Sequence, residues 1–181
     1  MMRSMIAIAL LGMAGAGVPA LAQPAAPDPG YYAQNSAATY VSKAMSGDNY
    51  EIQSSKMMLA MAANPDVRRF AQMMIDDHTK TSAALMAAAK QASLGNSTNL
   101  LPPEAAMLKN LRSIDKSKAE RLYVDQQVMA HEKALALHQG YAEHGDNPGL
   151  KAVAAEAVPI IQGHLDEIRR IQTAMGGPMQ P

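Results

Sequence analysis

Residues 64–71, NPDVRRFA, decide the fold, because the chain repeats the pattern at 147–154, NPGLKAVA. In each, an asparagine can cap the first turn of a helix. The proline then takes the first helical position, where its missing N–H is no loss. The runs on either side are rich in Ala, Met, Leu, Gln, Lys and Glu, and no β-type alternation interrupts them. A helix that ends just before each Asn-Pro and another that starts on it make a hairpin. The spacing predicts two hairpins, 36–63 with 65–92 and 117–145 with 148–174.

The segment between them, SLGNSTNLLPPEAAMLKNLRSIDK (93–116), is too long for a bundle turn. A short helix over 103–112 is expected inside it. Two hairpins joined by a long crossover build an all-α, ferritin-like four-helix bundle. Pro159, inside the last helix, is expected to kink it.

Flanking segments have other roles. MMRSMIAIALLGMAGAGVPALAQ opens with Arg3, continues with an apolar run and reaches Ala20-Leu21-Ala22. This pattern predicts a signal peptide over 1–22, cleaved near Ala22, and a periplasmic or secreted protein. Residues 23–35 are expected to be a disordered leader, 36–174 the bundle domain and 175–181 a flexible tail. No further run is long and apolar enough for a transmembrane segment in the mature chain. There is no cysteine, so neither disulfides nor a lipid-modified cysteine can form. Arg3 is the only charge in the signal peptide; without it the balance is 15 basic to 16 acidic residues, with no basic run and few aromatics. That composition argues against nucleic acid as a partner. The methionines outside the signal peptide read as adaptable core filler.

Polar residues interrupt the predicted core seams. In the second long helix the seam runs Val67, Ala71, Met74, His78, Thr81, Leu85, with Asp77 flanking His78 and Asp76 pointing away. In the third it runs Val124, Val128, His131, Leu135. In the fourth it runs Leu150, Ala154, Ala157, Ile161, His164, Ile168, Ile171. Glu51 falls on or beside the inward face of the first. Heights match as well. Glu51 lies thirteen residues before Asn64 and His78 thirteen after Pro65; His131 lies sixteen before Asn147 and His164 sixteen after Pro148. With the two turns at opposite ends, pairs about 20 Å and about 24 Å from their own turns meet near mid-bundle.

One carboxylate and three imidazoles suit a single transition metal ion (Zn, Fe, Cu or Ni) and not Ca or Mg. Asp77 or Asp125 can orient a ligating ring. The alternative is a hydrogen-bonded structural layer. His138 and His144 lack level partners and read as surface or accessory residues. Ser54 and Ser55, near Glu51, read as packing. The run 115–121 reads as a solvated helix start. There is no cysteine nucleophile, phosphate loop or nucleophile elbow.

GDNYEIQSSKMMLAMAANPDVRRFAQMMIDDH (47–78), YVDQQVMAHEKAL (123–135) and LKAVAAEAVPIIQGHL (150–165) resemble the bacterial domain-of-unknown-function 4142 family. The likeness spans about residues 36–172. It rests on Glu51-Ile52, Asp77-His78, Gln127-Val128-x-Ala130-His131 and Pro159-x-x-x-x-His164-Leu165. It implies an exported ferritin-like bundle, of a kind often labelled outer membrane protein, and no defined activity. A membrane-spanning barrel would need alternating strands, which are absent here, so only peripheral envelope association is compatible. Ile75 and Ile161 stand three residues before His78 and His164, where a di-iron centre would carry Glu, so one ion is the expectation. Three functions follow: metal handling or redox protection, an oxidoreductase with an open coordination position, or an interaction or envelope-stress module using the 93–116 connector.

Overall fold

The computed structural model describes residues 36–95 and 98–179; the predicted signal peptide and leader lie outside them. Among these residues five helices follow in order: α1 (Ala37–Met61), α2 (Pro65–Gln91), α3 (Pro102–Ser113), α4 (Lys116–His144) and α5 (Pro148–Ala174). Among the described residues there is no strand, and the chain is an all-α bundle. No helix there is long and apolar enough to cross a membrane.

Both Asn-Pro starts form as the sequence dictates. Asn64 Oδ1 accepts from Asp66 N at 2.8 Å, and Asn147 Oδ1 accepts from Leu150 N at 3.0 Å. Each proline follows as the first residue of its helix. Helix α5 continues through Pro159 as one element. Pro159 and Ala155, whose carbonyl loses its helical donor to it, are both exposed. Water can therefore replace the missing bond.

Each of the four long helices packs chiefly on its hairpin partner, the hairpins meet through α1 on α4 and α2 on α5, and α3 lies against α1 and α4. Contacts along α1 and α4 run in opposite directions. Ala63 N, in the first turn, donates to Glu120; Ser55 meets Tyr123; Tyr40 meets His138; and Ala37 N donates to Asp146, in the second turn. The two turns therefore lie at opposite ends, the arrangement on which the height argument depends.

The apolar core is in two parts. One cluster includes Met58, Phe70, Met74, Tyr123, Leu165 and Ile168. The other includes Tyr40, Met45, Leu85, Tyr141 and Leu150. In α1, α2 and α4 the sequence between these clusters holds Glu51, His78 and His131. Beyond α5, Met175 O accepts from Arg121, and Met179 N donates to Asp125 Oδ2 at 2.8 Å, so residues 175–179 return to α4.

Candidate metal centre

Four helices each bring one group to mid-bundle. Glu51 comes from α1, His78 from α2, His131 from α4 and His164 from α5, all 4% exposed or less. The three imidazole rings form a triangle with centroids 5.4, 5.5 and 5.8 Å apart. One nitrogen of each histidine lies within 4.8 Å of one nitrogen of each of the others, so the three can hold a metal ion.

Every ring has one nitrogen committed to an oxygen. His78 Nδ1 lies 2.9 Å from Asp48 Oδ1 and 3.0 Å from Glu51 Oε2. His131 Nδ1 lies 2.8 Å from the Gln127 carbonyl, and His164 Nε2 lies 3.2 Å from Asp77 Oδ2. A carbonyl oxygen can only accept, so His131 carries its proton on Nδ1. The other nitrogens, His78 Nε2, His131 Nε2 and His164 Nδ1, are buried with no hydrogen-bond partner, and so is Glu51 Oε1. Buried polar atoms are normally paired, and four orphans in one layer call for an occupant.

Burial and the neighbouring His78 push His131 down to about 3. The same two causes push His164 down to about 4, against the pull of Asp77. Both imidazoles are neutral at neutral pH and keep a lone pair, as ligation requires. His78 differs. Burial drives its charged form down, yet Glu51 and Asp48 more than reverse this and raise it to about 9. Burial lifts Glu51 to about 7, with His78 pulling the other way. Burial is the largest single influence on Asp77 and pushes it up, but Lys80 and His164 together outweigh it and hold the carboxyl below the usual carboxylate range. It is therefore ionised and accepts from His164.

The sequence-predicted residues divide into three groups. His78, His131 and His164 come together. Glu51 joins a second group with Asp48 and His78, and stands on the Nδ1 side of His78 rather than within the triangle of histidines. Asp77 Oδ2 lies 3.2 Å from His164 Nε2. Asp125 does not reach the cluster: Gln172 Nε2 and Met179 N hold its carboxylate, at 2.7 and 2.8 Å.

Other expectations are corrected. His138 is buried, 7% exposed, with Nδ1 at 3.1 Å from the Tyr40 hydroxyl, so it is a core residue. His144, by contrast, is exposed beside Glu143, in keeping with its reading as a surface residue. Thr81, predicted in the seam, is only half-buried, and Ser82 is the buried neighbour. Ser54 and Ser55 are packed, as expected, through bonds to Gln127 and Tyr123.

Asp48 was missed. It receives Ser82 Oγ at 2.7 Å as well as His78. Its spacing was a usable signal, since it lies three residues before Glu51 and so shares its face.

Residues 20–171 match the model of a domain of unknown function, DUF4142. The chain belongs to this family. No curated protein is similar enough to match. Two solved DUF305 structures are similar in fold. A fragment from Deinococcus radiodurans has a TM-score of 0.67 at 14% identity, covering 76% of this chain and 95% of its own. A protein from Streptomyces coelicolor, described as a "putative secreted protein", has a TM-score of 0.65 at 16% identity, covering 81% of this chain and 98% of its own.

Proposed function

We propose that this DUF4142 bundle is an exported metal-binding protein, working in metal handling or redox protection in the periplasm. It would hold one transition metal ion on His78 Nε2, His131 Nε2 and His164 Nδ1. The observation that carries the reading is the pairing of each ring: one nitrogen on an oxygen acceptor, the other buried and unpartnered. Ligating histidines characteristically donate their second N–H to a carboxylate or carbonyl, which fixes the tautomer and the ring. Here Asp48 with Glu51, the Gln127 carbonyl and Asp77 have that part. Three imidazoles suit Zn, Cu, Ni or Fe. The signal pattern of residues 1–22 supports export.

One specific observation favours a second reading. His78 is raised to about 9, so in the metal-free protein its Nε2 carries a proton. A single water accepting from it could donate to His131 Nε2 and His164 Nδ1, giving a structural polar layer with no metal.

Metal analysis of the mature protein, exported to the periplasm and purified without a histidine tag, separates the two. About one ion per chain, absent from a His78→Ala/His164→Ala variant that stays folded, supports the first reading. No ion in the wild type, even after incubation with Zn, Cu, Ni and Fe, supports the second.

A further inference from the structure

A cavity of about 480 Å³ reaches the Glu51 side of the cluster. Its size is that of a small-molecule site rather than of an ion channel. Leu101, Met107, Leu137 and Ile161 give it apolar walls, and Glu51 and His78 form its buried end. At its exposed end stand Lys43, from α1, and Lys133, from α4.

Two glycines keep this volume open. Gly47 and Gly140 lie inside α1 and α4 on the cavity wall, and a Cβ at either would meet no atom within 4 Å. Glycine weakens a helix interior, and neither position has a close approach that requires it. The helices therefore give up propensity where a side chain would fill the space.

The charges sort by what already engages them. Asp48 is held by His78 and Ser82, and Glu104 accepts from Ser46 Oγ at 2.9 Å. The two lysines have no ion pair or hydrogen bond among the described residues. At the buried end Glu51, 1% exposed, has no hydrogen bond at Oε1, which lies 3.5 Å from His131 Nδ1.

We propose that this cavity binds a small acid with an apolar body, its acidic group at Lys43 and Lys133 and its apolar end toward Glu51. His78, the one cation of the floor, is already engaged by Asp48 and Glu51, whereas the ammonium groups of the rim are exposed, so the rim holds the acidic group and one orientation is selected. This site does not depend on the metal reading, because its walls, rim and floor are formed without an ion.

Titration calorimetry with octanoate, octanol and octylamine on the mature chain tests it. Octanoate should bind once per chain, at least tenfold more tightly than octylamine and more tightly than octanol. Gly140→Leu should abolish binding while the melting temperature holds or rises, since leucine improves the helix. Lys43→Glu/Lys133→Glu should weaken octanoate at least tenfold. His131→Ala/His164→Ala, two histidines that do not line the cavity, should lose any metal yet still bind octanoate, and Gly140→Leu should keep its metal. No octanoate binding at millimolar concentration, equal binding of octylamine, or binding that survives Gly140→Leu would each overturn the proposal.

Discussion

Acid should weaken the fold through His138, and by an amount that the structure sets. His138 is buried against Tyr40, and burial holds its imidazole down at about 4, against 6.5 for a free side chain. A group depressed in the folded state adds stability above its unfolded pKa and loses it as the pH falls. The window therefore runs from 6.5 down to about 4, where only the unfolded chain takes up this proton. At about 1.4 kcal/mol per pH unit, His138 alone should remove about 3 kcal/mol across that window. Glutamine at 138 keeps an acceptor for the Tyr40 hydroxyl and cannot titrate. Urea unfolding of wild type and His138→Gln, from pH 7 to 4 with a chelator present, isolates the effect, because every other titrating group is common to both. The stability difference should shift steadily in favour of the variant as the pH falls. A difference that stays constant within about 0.5 kcal/mol would show that His138 titrates normally and that its burial is wrong.

Other perturbations have equally definite outcomes. Asp48→Asn and Asp77→Asn should each weaken metal binding roughly 10–100-fold in competition with a chelator, by loosening the rings they orient, whereas Asp125→Asn should leave it unchanged. At a free metal concentration a thousandfold above Kd, wild type should gain about 4 kcal/mol against urea and His164→Ala should gain nothing. Asn64→Ala and Asn147→Ala should each cost about 1 kcal/mol by removing the caps of α2 and α5, read by thermal melting. Met74→Ala, in the apolar cluster beside the site, should cost about 2–5 kcal/mol.

The helices and their order were legible because backbone signals carry them. Asn-Pro fixes where α2 and α5 begin, and a 24-residue connector cannot be a turn. The three seam histidines were legible for a related reason. Helical period gives the face, and counting residues from a shared turn gives the height. Both quantities are properties of straight helices, so they fail where a side chain's reach decides the contact. Asp125 is near His131 in sequence, yet its carboxylate is turned to Gln172 and the returning segment at Met179, which no periodicity encodes. His138 was misread because its partner, Tyr40, lies 98 residues away and on the helix that the height count had paired only with α2. Asp48 stood one turn before Glu51 and was passed over because the count looked for level pairs, whereas His78 reaches back along the bundle to it.

The division of the core in two supports a functional reading of the layer between. A bundle selected only for stability would continue its apolar seams through positions 51, 78, 131 and 164, since buried polar groups gain little over well-packed hydrophobic ones. Here the seams break at one height in the four long helices. A structural layer would be expected to close on itself, with every donor matched to an acceptor. This one closes on its outer side, where Asp48, Asp77 and the Gln127 carbonyl hold the rings, and stays open on its inner side, where three nitrogens have no partner. Fixed rings are what a ligand site requires before its ion arrives: His131 and His164 are neutral and keep an open lone pair, and His78 has one Nε2 proton to give up. The two apolar clusters give that preorganisation its rigidity, because a shift of any one helix would have to repack both of them.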